Sequence, residues 1–447
     1  MGKLTIKDIV NSNLCVGCGV CISEANNSKM VWNEEGFLVP DITKEFNDNA
    51  IRVCPFNPKP DITVEDEDKL ADLFLMTDKL KQEPTIGNYV GAYIGHSGEF
   101  RDTSSSGGLG TYIFQKLLEE GFADHLFVVQ EFNGMYAYDW FEKGDNIKKT
   151  SKTRYFPVSL ERLFIEIDLK DGKVAVSGIP SFIKAIRLKQ YYYPEYRNKI
   201  SFLVGIICGG IKSKFFSDYL AQKAGFEKDY TKPQYRIKDY NSTAGDYSFG
   251  AQNQQGVEKR IKMREVGNMW GTSYFNSNAY DFGSDVTAEL ADISLGDAWI
   301  KPYSQDGRGS NVIITRSSVA DTLIQEGISK GELEIESIST KTLKLSQEGG
   351  IRHRQVGIKY RMKLQKNKGL LVPYVRKRIL QNISFEYQLV QKKRMKMRQN
   401  SLDIWKECQN SISFDKKMAY DNFQLKILTR IYHKFQRLKE KLGFKYI

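Results

Sequence analysis

Four cysteines near the start of this 447-residue chain have a spacing that suits redox chemistry. Cys15, Cys18 and Cys21 follow a C-x2-C-x2-C pattern, and Cys54 stands directly before Pro55. In two-cluster ferredoxins, three closely spaced cysteines bind one 4Fe–4S cluster, and its fourth ligand is the Cys-Pro cysteine of the other copy of the motif. The spacing therefore predicts a single cuboidal cluster that exchanges one electron at a time.

The other set of ferredoxin ligands is absent from the chain. Ala25 occupies the fourth position of the first copy, and counting back from Cys54 places the remaining positions at Lys44, Asn47 and Ala50. One complete set of four thiols remains, which predicts one cluster and not two. The alternative is a structural zinc site, although zinc sites usually take their ligands as two pairs. We favour the iron–sulfur interpretation.

A serine- and glycine-rich loop is the second candidate site. Ser105, Ser106, Gly107 and Gly108 stand directly before an amphipathic run at 109–121. Hydroxyl and backbone N–H groups at the start of a helix suit a phosphate group. Simple N-capping by a serine, followed by a flexible turn, is the alternative.

Composition indicates a folded protein that lies in the cytoplasm. The chain is 41% apolar and 12% aromatic, and no apolar run approaches the ~18 residues that a membrane span needs. The opening residues lack the apolar segment of a secretory signal. Six cysteines are too few for a disulfide framework in a chain of this size, and Cys208 and Cys408 fall outside the ferredoxin pattern. We expect those two thiols to be chemically inert.

Positive charge is concentrated in the C-terminal quarter. Residues 351–447 hold 25 Lys and Arg against 6 Asp and Glu, whereas the rest of the chain holds 41 against 48. Basic runs with apolar residues at 391–400 and 430–445 could lie on an anionic membrane surface at the inner face, bind an acidic partner, or remain solvated or packed in a bundle. We do not expect nucleic acid as a partner, because the acidic body would oppose it.

These sites require a mixed α+β or α/β fold in four parts. We expect a ferredoxin-like 4Fe–4S module at 1–60 with a hairpin at 30–40, and an acidic helical connector at 61–87. An α/β catalytic body should occupy 88–340, and a basic helical tail 341–447. Strand-like runs alternate with amphipathic helices in the body. The predicted strands are at 89–96, 125–132, 173–180 and 200–210, and the predicted helices at 109–121, 181–192 and 213–225.

Five motifs in a fixed order resemble the coenzyme F420 hydrogenase/dehydrogenase beta-subunit family over roughly residues 10–320. They are the ferredoxin-type run, SSGGLGTYIFQKLLEEGFAD, VAVSGIPSFIKAIR, LVGIICGGIKSKFFSDYL and ELADISLGDAW. The resemblance implies FAD beside the cluster and an oxidoreductase that passes electrons to an organic acceptor, which could be a small molecule or a redox partner protein. Some relatives accompany surface-polysaccharide genes, which suggests a biosynthetic role there. A non-catalytic electron-transfer subunit is the alternative.

The resemblance also implies roles for individual residues. Ser105 to Gly108 would cradle flavin phosphate, Gly178 and Pro180 would form a turn at a strand end, and Asp297 would accept a hydrogen bond from ribityl or substrate hydroxyls. Capping of the next turn is the alternative for Asp297. The chain departs from the family pattern where relatives carry further cysteines, so no second cluster is expected. Those positions are Ser181, Tyr280 and Gly283.

Overall fold

The computed structural model describes residues 3–442. Its strands are Met30–Trp32 (β1), Leu38–Pro40 (β2), Lys81–Glu83 (β3), Gly87–Tyr89 (β4), Gly91–Ser97 (β5), His125–Phe132 (β6), Met135–Glu142 (β7), Val174–Gly178 (β8), Ile200–Ile206 (β9), Thr231–Ile237 (β10), Ser248–Gln252 (β11), Glu258–Lys262 (β12), Ile293–Asp297 (β13), Asn311–Thr315 (β14) and Leu333–Ser337 (β15).

The α-helices are Ile6–Asn11 (α1), Asn49–Arg52 (α2), Glu67–Phe74 (α3), Leu109–Glu119 (α4), Leu163–Glu166 (α5), Pro180–Tyr192 (α6), Tyr196–Lys199 (α7), Lys214–Lys223 (α8), Met263–Val266 (α9), Ser318–Ser329 (α10), Thr340–Ser346 (α11), Glu348–Ile351 (α12), Ile358–Lys366 (α13), Phe385–Cys408 (α14) and Ser411–Lys441 (α15). Short 3-10 turns include Val20–Glu24, Ile167–Leu169 and Ala279–Phe282.

An eight-stranded mixed sheet forms the centre of the molecule, in the order β15-β5-β14-β13-β9-β8-β6-β7. Its middle strands, β13, β9, β8 and β6, run parallel to one another, and the outer strands join antiparallel. The strands predicted from apolar runs and the helices predicted at 109–121, 181–192 and 213–225 are confirmed, and so is the mixed α/β class.

Alternate residues of the parallel strands support two separate cores, as the two-residue period of a strand requires. Phe127, Val176 and Leu203 face the layer that contains α6 and the cysteine segment. Leu126 and Ala175 face the layer that contains α4 and α10. The sheet is therefore covered on both faces, which explains why its central strands are almost entirely apolar.

The N-terminal segment contains the predicted hairpin. Met30 pairs with Pro40 across β1 and β2, and Gly36 turns the chain with a φ of +73°. A Cβ atom at Gly36 would lie 2.7 Å from the Ser213 hydroxyl, so only glycine allows this turn to approach α8. The ferredoxin-like arrangement of the module stays a prediction.

The N-terminal segment is bonded to distant parts of the chain. The side-chain amide of Gln365 donates to the carbonyl oxygen of Ser12 at 2.9 Å. The backbone N–H of Tyr374 donates to the carbonyl oxygen of Asn57 at 3.3 Å. The connector is helical over the 3-10 turn Ile62–Val64 and over α3 but not to its end, since β3 follows at Lys81–Glu83. The domain boundaries at 60, 87 and 340 stay predictions.

The helical C-terminal region is confirmed. Tyr387 stacks on Tyr432 with ring centroids 4.8 Å apart, and Trp405 meets Phe414 at 5.8 Å, so α14 and α15 run antiparallel. Tyr219 of α8 contacts both Trp405 and Phe414, which fixes the hairpin to the body. Across residues 3–442, no helix has the length and apolar character that crossing a bilayer would require.

Candidate functional site

The four N-terminal thiols come from two short, tightly turned segments. Gly17 and Gly19 have φ values of +74° and +76°, which lets the chain wind between Cys15 and Cys21. A Cβ atom at Gly17 would lie 2.9 Å from the carbonyl oxygen of Leu38, so the hairpin closes over this loop. Cys54 follows α2.

The four thiols adjoin one hydrophobic core, in which Cys18 and Cys21 are buried and against which the half-buried Cys15 and Cys54 pack. Burial raises the pKa of Cys15 to about 12 and that of Cys18 to about 11. Burial also raises the pKa of Cys21 and Cys54, and nearby thiols among the four add to the rise. Such thiols stay protonated unless a bound cation stabilises the thiolates, as a metal cluster does.

Backbone groups around the thiols favour the charged form. The Gly17 N–H donates to Cys15 Sγ at 3.4 Å. Backbone N–H groups of Val20 and Phe56 act in the same direction on the pKa of Cys18 and Cys54. N–H donors to sulfur are a means of tuning iron–sulfur sites, so the donor set fits a cluster.

The thiols do not converge on a point. Within residues 3–442, no group of three or more His, Cys, Asp or Glu side chains is arranged so that it could hold a metal ion. Each thiolate of a cuboidal cluster binds a different iron, so its ligands do not need to meet at one ion. The identity of the four residues as cluster ligands stays a prediction.

A polar network that includes one of the lost ligand positions, Asn47, leads to a buried ion pair. Ala25 and Phe46 form an antiparallel bridge, which sets the two degenerate copies side by side. Asn47, at a lost ligand position, donates its amide to the Glu24 carboxylate at 2.9 Å. Lys189 forms an ion pair with the same carboxylate, and both side chains are almost fully buried.

The Ser/Gly loop lies where β5 and β14 meet. Ser105 Oγ accepts from the Thr153 N–H at 2.9 Å, and Ser106 Oγ donates to the Ser310 carbonyl at 2.9 Å. A Cβ atom at Gly107 would lie 2.7 Å from the carbonyl oxygen of Gly95. Gly108, with φ +85°, is the N-cap of α4, and no serine caps that helix, so simple serine capping is wrong.

Basic side chains surround this loop. Lys238 Nζ donates to the carbonyl oxygens of Ser106, at 2.7 Å, and of Arg101. Burial and the nearby cations Lys152 and Arg101 lower the pKa of Lys238 to about 7. We call the following set the cationic cluster: Arg101, Lys152, Arg154, Arg236 and Lys238.

The cationic cluster carries more positive charge than its acidic neighbours offset. Arg101 pairs with Asp306 and Arg236 pairs with Asp297. The ion pairs of residues 3–442 include none of Lys152, Arg154 and Lys238, and the buried Nε and Nη1 atoms of the half-buried Arg154 lack hydrogen-bond partners there. Burial lowers the pKa of both Lys152 and Arg154. An anion at this place would relieve the excess charge.

Asp297 ends β13 at the carboxyl edge of the parallel strands. Arg236 holds its carboxylate and lies over the rings of Tyr247, at 5.0 Å, and Trp299, at 5.5 Å. Asn311, beside the Ser/Gly loop, pairs with Asp297 in the sheet. The structure therefore brings Asp297 and the loop to one edge, where open α/β sheets bind ligands.

Gly178 and Pro180 lie at the same edge but toward the cysteine segment. Gly178 ends β8, and Pro180 begins α6. Pro180 lines a small cavity of about 20 Å³ beside Pro55, the residue after Cys54. Their predicted contact with flavin stays a prediction. Ser181 and Gly283, two of the three positions where the resemblance led us to look for further cysteines, line this cavity, and the Ser181 hydroxyl has no hydrogen-bond partner within residues 3–442.

The cationic cluster was not predicted from the sequence. Its members come from three separate segments, so no single window of sequence contains them. One signal was present, because Arg236 and Lys238 alternate in PQYRIKD and would point to the same side of an extended chain.

Two adjoining family models match the chain, and both describe the beta subunit of coenzyme F420 hydrogenase/dehydrogenase. The model of its N-terminal part matches residues 92–164, and the model of its C-terminal part matches residues 171–341. Together they cover more than half of the chain, from β5 to β15. The chain therefore belongs to the coenzyme F420 hydrogenase/dehydrogenase beta-subunit family. The four N-terminal cysteines precede both matched ranges.

Individual relatives are more distant. The chain is 22% identical over 354 residues to a coenzyme F420-dependent sulfite reductase of Methanocaldococcus jannaschii, covering 75% of this chain and 50% of that protein. The chain thus spans about half the length of this curated relative. A chain of the F420-reducing [NiFe] hydrogenase complex of Methanosarcina barkeri aligns with a TM-score of 0.49 and 21% identity, over 66% of this chain and all of that one.

Proposed function

We propose that this protein is an iron–sulfur flavoprotein oxidoreductase that passes electrons between one 4Fe–4S cluster, FAD and an organic acceptor. The observation that carries the proposal is that four ferredoxin-spaced thiols adjoin one hydrophobic core, within a chain of the coenzyme F420 hydrogenase/dehydrogenase beta-subunit family. The fold supports it further, because the cysteine segment and the Ser/Gly loop flank the same edge of the sheet from its two faces.

Cys15, Cys18, Cys21 and Cys54 would hold the cluster, which supplies one-electron chemistry when bound. The N–H groups of Gly17, Val20 and Phe56 would stabilise negative charge on the sulfurs. Lys184 contributes a positive charge near Cys54 that lowers the pKa of its thiol. The hairpin packs on the loop between Cys15 and Cys21 at Gly17, and residues 159–161 pack on it at Gly19.

The Ser/Gly loop and the cationic cluster would hold the diphosphate of FAD. Lys152, Arg154 and Lys238 supply positive charge that no ion pair of the described residues offsets, and the loop places Ser105 and Ser106 beside them. Arg236 fixes the Asp297 carboxylate, which would accept a hydrogen bond from a ribityl or substrate hydroxyl. Flavin supplies two-electron chemistry when bound there.

The deazaflavin coenzyme F420 is the first acceptor to test, because it appears in the name of the sulfite reductase relative. A sugar or polysaccharide precursor is the second, and a role in surface-polysaccharide biosynthesis stays a prediction from the resemblance. A non-catalytic electron-transfer subunit would carry the same two cofactors and would need a partner enzyme for turnover.

Anaerobic purification with iron, sulfide and flavin assays tests the proposal. We expect about four irons, about four sulfides and about one flavin per chain. Reduction of oxidised F420 by the purified chain alone, with reduced methyl viologen as the electron donor, would distinguish the enzyme from the electron-transfer subunit. Zinc in place of iron would contradict the assignment of an iron–sulfur cluster. If the protein is purified without flavin and also fails to bind added FAD, the assignment of a flavoprotein is wrong.

A further inference from the structure

A row of apolar side chains lies exposed along the outer side of α15. Tyr420 and Phe423 are 68% and 60% exposed, and Leu438 is 54% exposed. Successive members lie three or four residues apart, so they share one side of the helix over about 27 Å. The apolar row comprises Tyr420, Phe423, Ile427, Ile431, Phe435 and Leu438.

Internal packing does not explain this row. The residues that fix α15 to the molecule lie on its other side, where Phe414, Met418, Leu425 and Tyr432 are buried. Six contiguous exposed apolar side chains on one helix are uncommon on a free protein surface and mark an interaction site.

Basic residues flank the row along one edge. Each of Lys426, Arg430, Lys434 and Arg437 stands one position before a member of the row and is exposed. Among the side chains that the structure describes, none of these four takes part in an ion pair. The only acidic residue from 416 to 439 is Asp421, which is bonded to Lys393 of α14.

This pattern of charge favours one kind of occupant. If a second copy of α15 packed on the row, its basic edge would face one of two edges. It would face the other basic edge, where like charges repel, or an edge without acidic residues, where no ion pair can form. The row also stands outward on a single helix, whereas docking into a protein would require a groove in the partner. A flat anionic surface can take up both the apolar row and its basic edge.

We propose that α15 lies on the surface of an anionic lipid bilayer. The apolar row would enter the boundary between headgroups and acyl chains, and the four basic residues would meet lipid phosphates and carboxylates. This inference goes beyond the proposed function and does not depend on it, since it concerns neither the cysteine segment nor the cationic cluster.

Vesicle flotation of the full-length protein tests the proposal. We expect binding to vesicles of phosphatidylcholine with phosphatidylglycerol, no binding to phosphatidylcholine alone, and weaker binding as salt increases. Ile427→Asp combined with Ile431→Asp should weaken binding about tenfold or more, because carboxylates would replace apolar groups that enter the bilayer. Lys426→Gln, Arg430→Gln and Lys434→Gln together should weaken binding and reduce its dependence on salt.

Leu169→Asp is the matched control, since Leu169 is 83% exposed on a different part of the surface. It should bind vesicles like the wild-type protein, and circular dichroism should show that all variants keep their helical content. Failure of the wild-type protein to bind anionic vesicles would overturn the proposal. So would an equal loss of binding in Leu169→Asp, or a dimer in solution that Ile427→Asp dissociates, which would assign the row to a second copy.

Discussion

The backbone N–H of Leu160 donates to the carbonyl oxygen of Cys18, with an N···O distance of 2.9 Å. A Cβ atom at Gly19 would lie 2.9 Å from the Glu161 nitrogen, and the Glu161 carboxylate accepts from the Met30 N–H at 2.7 Å. The loop that carries three of the four thiols is therefore bound to a segment of the body more than 100 residues away.

A fragment of residues 1–60 should consequently fail to hold a cluster by itself. Its apolar residues share one buried core with residues of α6, β8 and β9, which the fragment lacks. Iron and sulfide assays on the anaerobically reconstituted fragment, beside the full-length protein, measure this. A fragment that retains about four irons would show that the module folds independently.

Cys54→Ala should lose the intact cluster, because it removes one of the four predicted ligands. Cys208→Ala and Cys408→Ala are the controls and should keep the wild-type iron content, since neither belongs to the ferredoxin pattern. Iron content and visible absorbance report the result. A Cys54→Ala protein with a normal cluster, or a Cys208→Ala protein without one, would exclude the predicted ligand set.

Lys238→Gln and Lys152→Gln should reduce flavin retention by about tenfold each, since each removes a charge-assisted contact to phosphate. Lys149→Gln changes an exposed lysine just outside the cluster and is the matched control. Gly107→Glu should also abolish flavin binding, but its side chain would collide with Gly95 and Asn311 as well. The lysine variants therefore separate loss of charge from loss of packing. Normal flavin content in both lysine variants would show that the cationic cluster does not bind flavin.

Lys189→Met should lower the free energy of unfolding by about 3 kcal/mol, because it leaves the buried Glu24 carboxylate without its cation. Lys330→Met is the control, since Lys330 pairs with Glu326 on the exposed side of α10. Chemical denaturation measures both. Equal effects of the two substitutions would show that the Glu24–Lys189 pair adds nothing specific.

Lys212 should make stability depend on pH. Burial lowers its pKa from 10.5 to about 7, and its amine donates to the carbonyl oxygens of Met269 and Tyr274. Between pH 7 and 10.5 the unfolded state therefore binds more protons than the folded state, so the free energy of unfolding rises with pH, by at most about 1.4 kcal/mol per unit. Lys212→Met should flatten this rise in denaturation measured from pH 7 to 9.5. An unchanged slope would contradict the prediction.

Local patterns predicted the parts of the fold that depend on local sequence. The apolar runs at 125–132 and 200–206 became strands because burial on both faces requires continuous apolar residues. Gly36 marked its turn correctly. In contrast, no sequence pattern around Lys81–Glu83 distinguishes this segment from the helical connector. It is a strand because it pairs with Gly87–Tyr89.

The candidate sites also differ in how far local sequence indicates them. The spacing of the cysteines and the Ser/Gly run are local patterns, so both could be predicted as candidate sites from the sequence. The cationic cluster and the role of Asn311 in packing against Gly107 depend on the order of strands in the sheet. A residue such as Lys152 acquires its environment from Arg154, Lys238 and the loop together, which no periodicity shows.

The contacts of Ser12 with Gln365 and of Asn57 with Tyr374 have a consequence for how the protein is made. The walls around the cysteine segment come from both ends of the chain, so during synthesis the thiols emerge long before the residues that enclose them. Until the ribosome has released residues near 374, the C-terminal part of this enclosure is missing, and the cysteines are more accessible to iron and to oxidants than in the folded protein. Insertion of a cluster would then belong to the interval between the emergence of Cys54 and the closing of the C-terminal segment, a period in which an iron–sulfur carrier still has access.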